Sequence, residues 1–284
     1  MSTTTCECRS PQEQRLYDKI EGREDKFRKT HTRVFKLLER FEGQKPRIDI
    51  ERALYFTQSM QETDGQPLVL RWAKALMHIA KNMTVYVQED QLLLGRAGCD
   101  GRYGILYPEL DGDFLDIAVR DLPTRKTSPA TITPEDAKRV IEEIAPYWKG
   151  KTYHEALNAA LPAEIHKLTY DDPMGLISRF IVNETSSFRS SIQWVHDYEK
   201  ILKRGFNSIK KEAQDKLDAL DPLSCKDACE KRPFLEAIVI VCDAIVLWAK
   251  RHAVLAREMA AKESDPTRKA ELLRMADNAD HVPG

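Results

Sequence analysis

Residues 186–206 read SSFRSSIQWVHDYEKILKRGF, and the second half of this stretch decides the fold class. From Asp197 onward the apolar positions Tyr198, Ile201, Leu202, Phe206, Ile209, Ala213, Leu217 and Leu220 recur at helical spacing, which predicts a packed helix with Asp197 as its N-cap and Pro222 as its stop. The first half carries chemistry instead. Arg189 presents a planar fork of donors, and Gln193, four residues on, can both donate and accept, so the pair suits a small polar anion. Ser186, Ser187, Ser190 and Ser191 favour turns and caps over continuous helix, which places the pair on a loop ahead of the packed helix. Taken in isolation, an Arg and a Gln at this spacing read as a solvated helix face.

Outward from this stretch the helical period repeats. Ala53, Leu54, Thr57 and Met60 predict a helix from near Ile50 to about Asp64-Gly65. Pro67 opens a second one, whose Val69, Trp72, Ala73, Leu76, Ile79, Ala80 and Met83 form one apolar face, read as core. Residues 84–87 and 91–94 flank the polar Gln88-Glu89-Asp90 and predict a β-hairpin. Residues 95–133, rich in Gly, Pro and Asp, read as a long irregular connection. Thr133-Pro134 caps a helix with Ala137, Val140, Ile141, Ile144 and Trp148 inward, and Thr152-x-x-Glu155 is a capping box for another. Helices are expected from Pro233 to about Ala261 and from Pro266 to about Asn278. The fold class is therefore mainly α with a small β-hairpin. Residues 1–30, dense in charge of both signs, are set apart as an extension from a helical region over 31–284.

Composition narrows the function classes. A net charge of -1 with 31% charged residues supplies no basic stripe, so nucleic acid is excluded as the expected partner. The N-terminus has no apolar core of the signal-peptide kind. The longest apolar run, residues 237–249, is shorter than the ~20 residues of a membrane span and contains Asp243, so no membrane partner is expected either. Six cysteines without a framework of short loops fit reduced thiols in a cytoplasmic setting. Cys225-x-x-x-Cys229 lacks further ligands at metal-site spacing, because Arg232 stands where an iron–sulfur pattern would continue; the expectation is no bound metal or cofactor. The seven histidines are scattered, and His196, beside Asp197, is the one nearest the candidate binding pair.

Three segments carry a family likeness. Asp197-Tyr198-Glu199-Lys200-Ile201-Leu202-Lys203-Arg204-Gly205 resembles the run that follows a Gly-His-x-x-Pro in glycyl radical enzymes of the pyruvate formate-lyase-like group. Residues 62–76, ETDGQPLVLRWAKAL, and the segments 85–87 and 91–95 leading to Tyr107-Pro108-Glu109, resemble the same group in the same order. The likeness covers roughly residues 47 to 284 and implies the N-terminal helical part of an α/β barrel enzyme.

The departures from that pattern are specific. Where the group has a substrate-facing histidine this chain has Gln193, with Ile192 for the glycine and His196 for the proline. Losing the histidine while gaining Arg189 one helical turn earlier exchanges recognition of a neutral hydroxyl for recognition of an anion. Within the group this implies a small organosulfonate substrate bound by Arg189 and Gln193. A dehydratase or lyase acting on another small anion or diol is the alternative. The resemblance also implies a glycyl radical installed by an activating enzyme that uses S-adenosylmethionine, and a homodimer.

The group's Gly-Cys-x-Glu and Arg-Val-x-Gly-Tyr motifs are both missing here. Cys99 follows Gly98 but precedes Asp100-Gly101, with no glutamate to act as base. No catalytic residue is therefore assigned within these residues, and the chain is read as the N-terminal third of a longer enzyme, inactive alone. A gene that ended at Gly284 would instead point to a helical interaction protein without the chemistry.

Overall fold

The computed structural model describes residues 22, 26, 29–96, 98, 101–110, 112, 115, 119–126, 129–170, 196–221 and 227–284, the side chains of 157, 166 and 168–170 excepted. Its contacts divide the chain into two units. The smaller unit combines the residues up to Gln44 with Glu89–Gln91. Its helix α1 (Thr32–Gly43) sends Arg40 to Glu89, donating to the carboxylate at 2.7 Å and to the backbone carbonyl at 2.7 Å. Asp90, beside that contact, holds a left-handed backbone with φ +62°.

The larger unit is built on helices and one small parallel sheet. Strand β1 (Arg47–Asp49) runs into α2 (Glu51–Glu62), and Asp49 closes the junction by accepting from the Glu51 N–H at 2.9 Å. Helix α3 (Leu68–Asn82) follows Pro67, as the sequence predicts. Strand β2 (Tyr103–Ile105) pairs in parallel with β1, Ile48 opposite Gly104, and Thr131 extends the sheet as an isolated bridge to Arg47.

The hairpin expected over 84–94 is not formed; the strands lie elsewhere. Its polar groups are claimed by other partners. Both the N–H and the hydroxyl of Thr84 donate to the Glu51 carboxylate at 2.7 Å, and the Gln88 carbonyl accepts from Arg268 at 3.1 Å. A short run of alternating apolar residues does not fix its own pairing when neighbouring side chains offer stronger hydrogen bonds.

The core of this unit gathers Ile48, Leu54, Phe56, Met60, Val140 and Trp148 among its buried members. Phe56 stacks parallel on Trp148 with centroids 5.6 Å apart and meets Trp72 edge-on at 5.1 Å. The indole N–H of Trp148 donates to the Thr57 hydroxyl at 2.8 Å, and that hydroxyl donates back to the Ala53 carbonyl at 2.7 Å, so no polar atom of the pair is left unmet inside the core.

The predicted helix after Thr133 is real but interrupted. Thr133 caps α4 (Pro134–Arg139), accepting from the Asp136 N–H, then a π turn (Val140–Ile144) leads into α5 (Ala145–Trp148). The π turn adds a residue to the repeat. Val140, Ile144 and Trp148 stay inward, while Ile141, expected inward, is 45% exposed. The Thr152–Glu155 capping box opens α6 (Tyr153–Ala160), and α7 (Ala163–Tyr170) follows.

Three helices complete the unit. In α8 (Tyr198–Asp218) Asp197 is the N-cap, accepting from the Lys200 N–H at 3.0 Å. Pro222, its expected stop, lies outside the described residues; the helix ends at Asp218. The sequence predicts this helix as continuous, yet Gly205 breaks it with φ +67° and ψ 165°. The Phe206 N–H donates instead to the Pro283 carbonyl at 3.1 Å, and a Cβ at position 205 would come within 2.5 Å of the Gly284 oxygen. Only glycine fits both the backbone angle and the approach. Helix α9 (Ala228–Lys262) begins before Pro233, more than a turn earlier than expected, and packs against α3, α8 and α10 (Pro266–His281). Buried Ala237, Ala244, Ala253, Ala256 and Ala260 give α9 a surface that neighbouring helices approach closely. No helix among the described residues is long and apolar enough to cross a membrane.

Candidate functional site

Arg189 and Gln193 lie outside the described residues, as does Cys99. The structure does describe the frame on their C-terminal side. Asp197 caps α8 four residues after Gln193, and His196, the histidine nearest the candidate pair in sequence, is exposed, with its ring edge-on to Tyr198 at 5.8 Å. Among the described residues no group of three His, Cys, Asp or Glu side chains could hold a metal ion.

A groove of about 790 Å³ has walls from α3, α8 and α9 and a floor that holds Arg52 and Phe56 of α2 with Ile105 and Tyr107. The α3 face read from sequence as core forms one wall of it. Ala73, Ala80 and Met83 are buried, but Val69, Trp72 and Leu76 are 39%, 45% and 39% exposed and line open space. The periodicity located the face correctly; it could not say that this chain leaves half of it uncovered.

Arg52 is the charged group in the groove, and its charge is already answered. Nη2 donates to Glu109 Oε1 at 2.6 Å and Nη1 to Oε2 at 3.2 Å, a fork-on-carboxylate pair, while Nη1 also reaches the Leu106 carbonyl at 3.3 Å. The guanidinium lies 4.0 Å from the Tyr107 ring centroid and 5.0 Å from that of Phe56. Glu109 is 7% exposed. A cation so matched has little left to offer an anionic ligand. Tyr107-Pro108-Glu109 carries a family likeness and Arg52 carries none; with 57 positions between the partners, no local pattern reveals the pair.

Cys242 and His252 are also buried. Cys242 faces the groove, and burial, reinforced by the adjacent Asp243, pushes its thiol up, away from the reactive thiolate. His252 on α9 is fully buried. Its Nδ1 lies 2.9 Å from the Trp248 carbonyl and must donate to it, which fixes the neutral ring with its lone pair on Nε2. Nε2 makes no hydrogen bond of good geometry among the described residues, though the Arg96 backbone acts on the ring in the direction that raises its pKa, against the effect of burial. Burial first, and Arg251 in addition, push the His252 pKa down.

A depressed histidine pKa means the unfolded chain takes up its proton first as pH falls. His252 therefore contributes its full stability above the ordinary value of about 6.5, and that contribution is lost as pH falls from there through the folded value. The melting temperature of the full-length protein should drop between pH 7.5 and 5.5, and less steeply in His252→Asn; equal slopes would remove this group as the cause.

Comparison with known proteins fits this frame. The family model for pyruvate formate lyase-like proteins matches residues 25–284. The chain is similar to the isethionate sulfite-lyase of Desulfovibrio desulfuricans, 92% identical over all 284 residues, and to that of Bilophila wadsworthia, 75% identical over 282. It covers 34% of each, so it spans about a third of the length of these curated relatives. Among solved structures, that describing 1,2-propanediol dehydration in Roseburia inulinivorans superposes with a TM-score of 0.79 at 30% identity, over 88% of this chain and 29% of that one. By its sequence over nearly the whole of its length and by its fold, this chain belongs to the pyruvate formate lyase-like family of glycyl radical enzymes.

Proposed function

We propose that the full-length protein is a glycyl radical carbon–sulfur lyase that cleaves isethionate to sulfite and acetaldehyde, and that this chain contributes its helical part beside the barrel together with the sulfonate-binding side chains. The observation that carries the reading is the 92% identity to an isethionate sulfite-lyase across every residue of the chain. The residues at stake agree with it in chemistry. A sulfonate presents three oxygens and a full negative charge, and Arg189 and Gln193 together can offer donors in a planar fork and from an amide.

In this reading a thiyl radical takes a hydrogen atom from the hydroxyl-bearing carbon. The bond from the neighbouring carbon to sulfur then breaks, sulfite departs, the hydroxyl proton is lost to a base, and hydrogen returned from the thiol completes acetaldehyde. Gly-Cys-x-Glu and Arg-Val-x-Gly-Tyr do not occur in these 284 residues, so the cysteine, its base and the radical glycine are assigned to the remainder of the enzyme. The work of this segment is binding and orientation: the charge clasp fixes the sulfonate so that one carbon faces the thiyl radical and the other the departing sulfur. The proposal includes a homodimer in the cytoplasm and a partner that installs the glycyl radical with S-adenosylmethionine.

The test is to activate the full-length enzyme anaerobically with that partner and to assay isethionate beside propanediol, glycerol and choline. Sulfite and acetaldehyde should form in equal amounts from isethionate, with the other three turned over at least a hundredfold more slowly. Turnover of a diol at a comparable rate would instead make the protein a dehydratase.

A further inference from the structure

We propose that His252 clasps the connection around Leu94 and Arg96 to α9, and that protonation of its imidazole releases that connection while the helices stay folded. Two contacts bring the connection to this histidine. Leu94 packs on Ala253, Ala256 and Ala276, where α9 and α10 meet, and the Arg96 backbone acts on the ring of His252 itself. Residues 91–96 belong to no helix or strand. The Arg96 guanidinium donates to the Gln88 side chain at 2.8 Å and to the Gly101 carbonyl, bonds that lie within the same stretch of chain and can move with it. Segments of this kind open at lower cost than packed helices.

Burial sets the sign of the effect. His252 is 0% exposed, its Nδ1 donates to the Trp248 carbonyl at 2.9 Å, and the Trp248 ring stands edge-on to it with centroids 4.9 Å apart. A second proton, on Nε2, would place a full charge there without water. The charged side chains brought to this junction do not welcome it. Arg251 of α9 acts on the ring as a like charge while donating to the Ala80 carbonyl of α3 at 2.8 Å, and Arg96 comes from the connection. Arg268 of α10 donates to the Gln88 carbonyl at 3.1 Å and is paired with Glu271 at 3.0 Å. No carboxylate among the described residues acts on the ring. The Arg96 backbone favours the charged form, but one backbone group replaces only part of the hydration that a buried charge loses.

Opening returns the imidazole to water, where it titrates at about 6.5. The closed form, which resists the proton, is therefore favoured in full above that value and loses ground below it. Between pH 7.5 and 5.5 the opening equilibrium should shift by about tenfold, the factor by which an exposed imidazole gains its proton over that interval. A global loss of stability would spread over every helix. The clasp confines the change to one connection.

The test is hydrogen–deuterium exchange of the full-length enzyme between pH 7.5 and 5.5, read by peptide mass and corrected for the intrinsic pH dependence of amide exchange. Peptides within residues 91–96 should lose about tenfold in protection, with the loss setting in near pH 6.5, while peptides of α2 and α8 change by less than about twofold. In His252→Asn, whose amide can still donate to the Trp248 carbonyl, the loss should vanish. The same loss in that variant, no loss in the wild type, or an equal loss over all its helices overturns the proposal. If the variant does not fold, the wild type decides alone through the onset, because a loss that waits for the carboxylate range below about pH 5 belongs to other groups and overturns it as well.

Discussion

Replacing Arg189 with alanine in the full-length enzyme should raise the KM for isethionate by about ten- to a hundredfold while leaving the glycyl radical signal at its normal intensity. Hydrogen bonds to a charged group are worth about 1.5–3 kcal/mol each, and 1.4 kcal/mol is a factor of ten in binding, so loss of a single strong contact accounts for the lower figure and loss of a forked pair for the upper. Arg189→Lys should fall between, because the charge is kept and the planar fork is lost. Steady-state kinetics with isethionate, beside the radical spectrum of the same preparation, separates a binding defect from failed activation. An unchanged KM would take Arg189 out of the substrate site.

The largest effect on stability is expected at Glu109. In Glu109→Ala the Arg52 guanidinium loses its bidentate partner at 2.6 and 3.2 Å while remaining wedged against Tyr107 and Phe56. Breaking a buried pair by removing one member typically costs about 3–5 kcal/mol, because the stranded charge must be rehydrated or left unpaired. The apparent melting temperature of the full-length enzyme should drop accordingly. Substituting both members, Arg52→Met with Glu109→Leu, should recover most of the loss, since no charge is then stranded. A double variant no more stable than Glu109→Ala would show that the pair acts through something other than its charges.

How far the sequence reveals this protein depends on whether the determinant is local. Capping is local, and Asp197, Thr133 and the Thr152–Glu155 box all sit at the helix starts where short-range spacing places them. Apolar periodicity is nearly local, and it found α2, α3, α9 and α10, with start or end errors of a few residues. Pairing is not local. The 84–94 segment alternates like a hairpin, but Glu51 and Arg268 take its polar groups, and the actual sheet joins residues more than fifty positions apart.

Burial of a helix face is less local still. Trp72 and Leu76 carry the spacing of core residues yet stand 45% and 39% exposed, and nothing in that spacing distinguishes a covered face from an open one. Gly205 falls mid-helix by its spacing, and its positive φ goes with the approach of Gly284, seventy-nine positions on in the chain. The candidate binding pair is a reading of the letters alone. Arg189 and Gln193 put a guanidinium and an amide where the family pattern has a histidine, and their geometry lies outside the described residues.

The most direct measurement is a crystal structure of the full-length enzyme with isethionate bound. The guanidinium of Arg189 and the amide of Gln193 should both stand within hydrogen-bond distance of sulfonate oxygens in a closed site. A structure in which that guanidinium points into bulk water, with the sulfonate held by other groups, would contradict the account.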